Sequence, residues 1–211
     1  MRYLYCLLLL ACMQSALAQT NDNTHEEISY SGNPYVLKDW VDGVVRFSGD
    51  RVITQPKLRF NVMRNQLMLQ FKGSTFAAEA KVIEFILYQK HGKNTDSMIF
   101  RKGYPPVDEQ NAETYYQVLL NGKSVLLKLY MKKIMEEKQL VGGNIYRRLE
   151  DDEAYYLLKD SVMTLLPKDR AKVAEKFADR SEAISQFIAA QQLKMRTDED
   201  FIAVVKKYNE L

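Results

Sequence analysis

The side chains that carry most enzymatic and metal chemistry are few in this chain and poorly placed for it. The 211 residues include two cysteines, Cys6 and Cys12, and two histidines, His25 and His91. A tetrahedral metal site or a serine–histidine–aspartate triad needs several such groups brought together. We therefore expect no enzymatic activity, no catalytic residues, no cofactor and no metal site. We interpret His91, in the turn sequence HGKN, as facing solvent.

Carboxylates are the remaining catalytic possibility. The sequence has no phosphate-binding loop, dinucleotide-binding fingerprint, nucleophile elbow or zinc-protease motif. Its one dense acidic run, EDDE at residues 150–153, lacks the alternate-ligand spacing and the glycine of a calcium-binding loop. Consecutive acids are typical of a solvated loop, and Arg147 and Arg148 precede them. A hydrolase with paired carboxylates stays open as a weaker alternative, because such pairs form in space.

Residues 114–133, TYYQVLLNGKSVLLKLYMKK, combine lysines and tyrosines with apolar residues. Asn121-Gly122 is a strong signal for a two-residue hairpin turn. Pairing outward from this turn puts Tyr116 on a core face and leaves the other face wet. The candidate binding residues are Tyr115, Lys128 and Tyr130 on that wet face, together with Arg59 from an earlier strand. The plainer interpretation is ring-over-lysine packing on an exposed sheet face.

The N-terminus predicts export. Arg2 precedes a short apolar run at residues 3–11, and Ala16-Leu17-Ala18 supplies a cleavage site, so residues 1–18 read as a signal peptide. The mature protein would then contain no thiol and would lie in the periplasm, at the outer membrane or outside the cell. Cys12 follows Leu-Leu-Ala, which leaves a lipoprotein anchored at this cysteine as the alternative.

Composition limits the partners. The chain has 30 basic and 27 acidic residues, a formal net charge of +3, which indicates no electrostatic demand for nucleic acid. No later apolar run has the length that spans a bilayer, so we expect no transmembrane segment after signal cleavage. The partner is expected to be an unidentified protein or apolar ligand of the cell envelope.

Residues 19–34 read as a flexible polar leader, and residues 35–166 as an antiparallel β domain. Trp40, the only tryptophan, precedes a predicted turn at 41–43. In residues 57–71, KLRFNVMRNQLMLQF, apolar and polar residues alternate on both sides of a turn, which predicts a hairpin with one apolar face. The expected pairs are Val62 with Leu67, Phe60 with Leu69, and Leu58 with Phe71.

Residues 167–211 change to a helical period. Ser181 is predicted to cap one helix, and Thr197 with Asp200 forms the capping pattern of the last one. The apolar stripe of that last helix is Phe201, Val204, Val205 and Tyr208. We therefore predict an α+β fold: an antiparallel β-meander sheet with one apolar face, on which the C-terminal helices pack. The alternative is a β-sandwich with a helical end-cap.

Segments near both ends of the expected mature chain carry a family resemblance. Residues 33–47 lead into the hairpin at 57–71, and a strand with Tyr155-Tyr156 leads through LLPK at 165–168 to residues 193–211, LKMRTDEDFIAVVKKYNEL. In this order the elements resemble exported proteins of unknown function from Bacteroidota-type Gram-negative bacteria. The resemblance implies export and a β-meander followed by C-terminal helices. It implies no activity and no catalytic residues.

The sequence thus favours an exported, non-catalytic envelope or secreted protein that binds an unknown partner, and an exposed apolar or aromatic patch would support this function. The first alternative is a lipid-carrier-like or apolar-ligand-binding module with loosely packed helices. Its cavity would be lined by Leu58, Phe60, Leu69 and Phe71. The weaker alternative, a carboxylate-dependent hydrolase, requires two acids about 5–10 Å apart across a cleft.

Overall fold

The computed structural model describes three stretches of the chain: residues 30–78, 81–138 and 145–211. The predicted signal peptide at 1–18 with Cys12, and the predicted leader up to residue 29 with His25, lie outside the described residues. Within the described stretches, no helix has the length and apolar character needed to cross a lipid bilayer.

The described residues form ten strands followed by three helices. The strands are β1 (Val41–Phe47), β2 (Val52–Asn61), β3 (Gln66–Phe71), β4 (Ser74–Ala77), β5 (Val82–His91), β6 (Asn94–Arg101), β7 (Tyr116–Leu120), β8 (Val125–Lys138), β9 (Ile145–Lys159) and β10 (Val162–Leu166). The helices are α1 (Arg170–Glu175), α2 (Ser181–Ala190) and α3 (Asp198–Glu210).

All ten strands belong to one sheet in the order β10-β9-β8-β7-β6-β5-β1-β2-β3-β4. Two meanders, β1–β4 and β5–β10, are joined by antiparallel pairing of β1 with β5. The fold is therefore α+β and built on an antiparallel meander, as the spacing of the turn signals predicts. The turn predicted at residues 41–43 is wrong: these residues begin β1, because pairing with β2 and β5 holds them extended.

The hairpin of β2 and β3 shows how alternation places the core. Phe60 pairs with Leu67 and Leu58 pairs with Leu69, whereas the sequence predicted Phe60 opposite Leu69. The turn takes up residues 62–65, so the pairing slips by two residues and every side chain keeps its predicted face. All four apolar residues are at most 5% exposed.

The sheet curls around this face. The ring of Phe60 on β2 lies 5.2 Å from that of Phe85 on β5 and 5.3 Å from that of Phe100 on β6. Because β1 and β5 separate β2 from β6, a flat sheet would hold these strands about 14 Å apart. The short ring distances therefore require strong curvature, and strands β1–β6 enclose much of their own core.

The helices cover part of the other half. Four residues of α3 are buried, as its apolar stripe predicts: Phe201, Val204, Val205 and Tyr208. They belong to one cluster with residues from β8 and β9, namely Leu126, Tyr155 and Leu157. On the opposite side of the same strands, Tyr104 from the β6–β7 connection packs in a second cluster with Tyr116, Leu127 and Tyr156. Tyr116 is thus buried, as predicted.

The helix starts follow the predictions in part. The Thr197 side chain accepts a hydrogen bond from the Asp200 N–H at 3.3 Å and caps α3 as predicted. The Asp200 carboxylate bonds the Arg196 N–H at 2.9 Å. The predicted cap of Ser181 is wrong, because Ser181 is already the first helical residue and Arg180 occupies the capping position without a side-chain hydrogen bond.

Residues 31–36 form a strap that connects β9 with β2. The Ser31 N–H donates to the Arg147 carbonyl at 2.9 Å, and the Ser31 carbonyl accepts from the Leu149 N–H at 2.9 Å. At its other end, the Val36 N–H donates to a β2 carbonyl at 3.1 Å. The described residues at the end of the predicted leader, Ser31 and Pro34 among them, are therefore hydrogen-bonded to the rest of the fold.

Candidate functional site

Lys128, a predicted binding residue, is 6% exposed. Its Nζ lies 2.7 Å from a carboxylate oxygen of Glu153 on β9 and 2.8 Å from one of Asp198 at the start of α3. Burial acts to lower the pKa of Lys128, but hydrogen bonds to Asp198 and Glu153 outweigh it and raise that pKa. The ammonium therefore stays charged inside a network that joins β8, β9 and α3.

Tyr155 and Lys168 complete this network. The Tyr155 hydroxyl lies 2.6 Å from Asp198 and 2.9 Å from Glu153, and the Lys168 Nζ lies 3.4 Å from Glu153. Burial acts to raise the pKa of Glu153, but hydrogen bonds from Lys128 and Tyr155 and the two lysine charges lower it overall. Two cations and two anions balance, so each charge of the network has a partner within the protein.

Tyr115 and Tyr130 are likewise engaged inside the protein. The Tyr115 hydroxyl donates to the Val82 carbonyl at 2.8 Å, and its ring packs against Phe85 at 5.1 Å. The Tyr130 hydroxyl donates to the Gln117 side chain at 2.7 Å. Burial is the main cause that raises both tyrosine pKa values, that of Tyr130 to about 12. Both hydroxyls are therefore neutral hydrogen-bond donors at neutral pH.

Arg59 lies away from the other three candidates. Its guanidinium sits 3.8 Å from the Tyr35 ring centre and 6.0 Å from that of Trp40. Arg59 alternates with Phe60 along β2, so it points to the face opposite the aromatic core. The structure thus brings Lys128 and Tyr130 together, at 4.8 Å, and leaves Arg59 on the other side of the sheet.

The predicted wet face of the β7–β8 hairpin is wrong. Tyr115, Gln117, Ser124 and Lys128 are each at most 9% exposed. The pairing also differs, with Gln117 rather than Tyr115 opposite Lys128. The alternation of side chains shows which residues of the hairpin share a face, but it does not show what covers each face. In the structure, α3 lies on this face and the β6–β7 connection lies on the other.

The solvated loop predicted for residues 150–153 is also wrong, because these four acids lie within β9. Each is neutralised by a base on β8 or β9. The pairs are Arg148 with Glu150 at 2.7 Å, Lys132 with Asp151, Lys133 with Asp152 at 2.7 Å, and Lys128 with Glu153 at 2.7 Å. Lys132 and Asp151 lie directly across the antiparallel pair, where opposite charges stabilise the pairing.

A cavity of about 380 Å³ opens beside this network. Its lining residues are Val36, Val62, Tyr130, Lys132, Asp151, Asp152, Glu153 and Lys168. A general acid at neutral pH needs a carboxyl with a raised pKa, whereas the pKa values of Asp152 and Glu153 are lowered. Within the described stretches, no three His, Cys, Asp or Glu side chains cluster as metal ligands. This cavity therefore presents fixed, paired charges.

The most exposed apolar side chains of the long β8–β9 hairpin lie at its far end. We call residues 132–138 of β8 and 145–151 of β9 the arm. Ile134 and Met135 are each 40% exposed, Ile145 is 52% exposed and Tyr146 is 53% exposed. Ile134 and Ile145 lie on one face of the arm, and Met135 and Tyr146 lie on the other. Apolar surface is thus offered on both faces.

The arm also has an open edge. The Arg147 carbonyl and the Leu149 N–H bond the strap, so they point away from β8. Their partners across the ribbon, Glu136 and Ile134, therefore turn their own backbone groups away from β9. Within the described residues, the pairing of β7 with β8 ends before the arm. The N–H and C=O groups of Ile134 and Glu136 thus lack a strand partner there.

The arm was missed at the sequence level, although a signal for it exists. When the two segments are paired in register, Lys132, Lys133 and Glu136 on β8 lie opposite Asp151, Glu150 and Arg147 on β9. That charge pattern becomes visible only once the acidic run is recognised as strand.

No protein-family model matches this chain, and neither a curated protein nor a solved structure matches it.

Proposed function

We propose that this chain is an exported, non-catalytic protein of the cell envelope that binds a protein partner through its arm. The observation that carries the proposal is a ribbon with apolar side chains exposed on both faces and one backbone edge that none of the described strands pairs. Met135 and Tyr146 are diagonal neighbours on one face of the arm, and an exposed apolar patch on a monomeric protein marks an interaction site. Export and membership in the exported Bacteroidota-type group are parts of this proposal.

The partner segment best suited to this edge is an extended polypeptide. Backbone groups of an open edge bind a further strand through main-chain hydrogen bonds, and side-chain contacts then give specificity. The chain's own strap already bonds the opposite edge of the arm at Arg147 and Leu149. An added strand on the β8 side would complete the ribbon, with apolar side chains beside Ile134 and Met135.

The charges of the arm favour selective pairing. Arg147 lies 2.7 Å from Glu136 and Arg148 lies 3.1 Å from Glu137, so both signs occur side by side. Charged residues on an edge strand oppose indiscriminate edge-to-edge aggregation. A partner must therefore match the charges as well as the backbone.

The packing of the β1–β6 half does not favour the lipid-carrier alternative. Leu58, Phe60 and Leu69 are at most 5% exposed and belong to one packed cluster. Phe71, expected to line the same cavity, is 49% exposed instead. Aromatic rings fill the space that a carrier would keep for its ligand.

The acidic residues do not favour the hydrolase alternative either. Asp152 and Glu153 each bond a lysine, and their pKa values are lowered. Both carboxylates are ionised at neutral pH and unsuited to donate a proton to a leaving group. A binding role agrees better with these paired charges.

Site-specific photocrosslinking tests the proposal. A photoreactive p-benzoylphenylalanine is placed at Ile134 in cells that export the protein, and adducts are identified by mass spectrometry. The matched control carries the probe at Val162 on β10, which is 62% exposed. We expect one recurrent protein adduct at position 134 and none at 162. Absence of an adduct at 134, or the same adducts at both positions, would contradict the proposal.

A second variant separates binding from folding. With the probe kept at Ile134, Ile145→Asp should abolish the adduct, because a charge enters the apolar surface on the same face of the arm. Ile145 is 52% exposed, so its substitution should change the free energy of unfolding by no more than about 0.5 kcal/mol. An unchanged adduct would show that the arm surface does not carry the contact.

Export is tested on the N-terminus of the purified protein. Cleavage after Ala18 predicts a mature chain that begins at Gln19. The lipoprotein alternative predicts an acylated Cys12 instead, which Cys12→Ser would remove together with membrane association. An intact N-terminus at Met1 would refute both forms of export.

A further inference from the structure

A trough lies on the face of β1, β2 and β5 opposite the aromatic core. It consists of two cavities, of about 440 and 640 Å³, which share Asp42 and Tyr88 in their linings. Asp42 pairs with Tyr88 of β5 on one side and with Lys57 of β2 on the other. These three side chains therefore form a row across the strands, and the two cavities extend from it in both directions.

The backbone beneath the trough is irregular. The pairing of β1 with β2 jumps from Asp42–Lys57 to Val44–Thr54, which leaves Gln55 and Pro56 in a bulge opposite Gly43. Gln55 has a φ of +63°, in the left-handed region, where a residue other than glycine costs about 1–3 kcal/mol. Gln55 lines the second cavity, and such bulges and strained residues concentrate at functional sites.

Gly43 leaves no space for a side chain at this point. A Cβ added to Gly43 would lie 2.2 Å from the Ile86 carbonyl oxygen and 2.4 Å from the Leu58 Cδ1. The glycine allows β1 to approach its neighbours closely while the bulge displaces β2 locally. The trough is thus a built irregularity in an otherwise regular sheet.

The lining combines aromatic rings with polar side chains. Trp40 and Tyr88 are both half-buried, and Thr54 and Gln55 add neutral donors and acceptors. The apolar C–H faces of a sugar ring pack on aromatic rings, while its hydroxyls need donors and acceptors close by. A fatty chain would need a lining without these polar groups.

The charged residues that line the first cavity nearly cancel, with Lys38, Lys57 and Lys90 against Asp39 and Asp42, and this favours a ligand without net charge. Asp42 accepts from Lys57 at 2.8 Å and lies 3.9 Å from Lys90. The hydrogen bond from Lys57 and the charges of both lysines hold the pKa of Asp42 below its usual value, against the effect of burial. The Asp42 carboxylate can still accept hydrogen bonds, although it is already bonded to Lys57 and lies near Lys90. An anionic ligand would have to displace it, whereas hydroxyl groups can bond both partners.

We propose that this trough binds a neutral oligosaccharide, with Trp40 and Tyr88 packed against its sugar rings and Asp42 and Lys57 bonded to its hydroxyl groups. The trough lies on strands that are not part of the arm. This inference therefore does not rest on the proposed function.

Trp40 provides a direct readout because it is the only tryptophan of the chain. The mature protein is first screened on an array of neutral glycans. It is then titrated with the glycans that bind, with cellotetraose, chitotetraose and maltotetraose, and with inorganic phosphate as the anionic comparison. Tryptophan emission is followed throughout. We expect a saturable change with at least one neutral oligosaccharide and none with phosphate. No response to any neutral glycan, or a response to phosphate alone, would overturn the inference.

Two variants locate the response. Tyr88→Ala and Asp42→Ala should each weaken binding at least ten-fold, and their thermal unfolding is recorded to verify that they fold. The matched controls are Phe76→Ala, an aromatic ring that is 46% exposed on β4, and Asp96→Ala, a carboxylate exposed on β6. Both controls should leave binding unchanged. If both trough variants bind as tightly as the parent, the trough is not the site.

Discussion

The two halves of the sheet bury their apolar side chains in different ways. Strands β1–β6 curl until rings on separate strands touch, as Phe60 and Phe100 do at 5.3 Å, and the sheet largely serves as its own cover. Strands β7–β10 rely on a separate layer, because α3 packs on one face. There a charged network around Lys128 connects helix and sheet. The first half depends on ring packing, and the second on a docked layer and its polar contacts.

Removal of the docked layer should have the largest effect. A chain that ends after Pro167 lacks all three helices and exposes Leu126, Tyr155 and Leu157, each at most 3% exposed in the intact protein. We expect aggregation and strong binding of an apolar dye such as ANS. A soluble truncated chain without dye binding would show that the β7–β10 half needs no cover.

Loss of one ring should be the next largest effect, and it probes the curled half. Phe85 is fully buried between Phe60, Phe100 and Tyr115. Phe85→Ala should lower the free energy of unfolding by about 3–5 kcal/mol, measured by urea denaturation. Phe76→Ala, at an exposed ring, should change it by no more than about 0.5 kcal/mol. Equal effects would contradict the ring-packed core.

Loss of one charge probes the docked half. Lys128→Ala leaves two carboxylates without their shared cation, and we expect a loss of about 2–3 kcal/mol in urea. This is below the range for fully buried pairs, because the side chains of Glu153 and Asp198 are each 29% exposed. Neutralising all three, as Lys128→Met with Glu153→Gln and Asp198→Asn, should recover part of that loss. A triple variant less stable than Lys128→Ala would argue against an unpaired-charge penalty.

Acid should weaken the docked half by the smallest amount. The pKa of Glu153 is lowered from 4.5, so its ion pair contributes its full stability above that pH and loses it as the pH falls through the lowered value. The thermal midpoint of the parent should therefore decrease below about pH 4.5 more than that of the triple neutral variant. Parallel pH profiles of the two proteins would contradict a stabilising role of this carboxylate.

The sequence predicted those parts of the fold that depend on local periodicity. Alternation around Phe60 and Leu69 placed both in the core, and the stripe of α3 was recognised from its helical period. The alternation could not predict the two-residue slip of the β2–β3 hairpin, because a shift by two residues keeps every side chain on the same face. Turn geometry, rather than the pattern, decides that register.

The candidate site was less predictable, because burial depends on layers that are distant in the chain. Lys128 and Asp198 are 70 residues apart, and only the docking of α3 joins them. The acidic run at residues 150–153 has the sequence character of a solvated loop, and only its pairing with β8 brings the lysines close to it. Long-range contacts of this kind leave no periodic signal along the chain.

The proposed binding mode requires an open edge on the arm, and amide hydrogen exchange followed by NMR measures whether that edge is open. In the isolated protein, the N–H groups of Lys133 and Met135 bond β9 and should exchange slowly, whereas those of Ile134 and Glu136 should exchange fast. Once the crosslinked partner is identified and added, the amides of Ile134 and Glu136 should become protected. Slow exchange of all four amides before any partner is added would contradict an open edge, and with it the proposed binding mode.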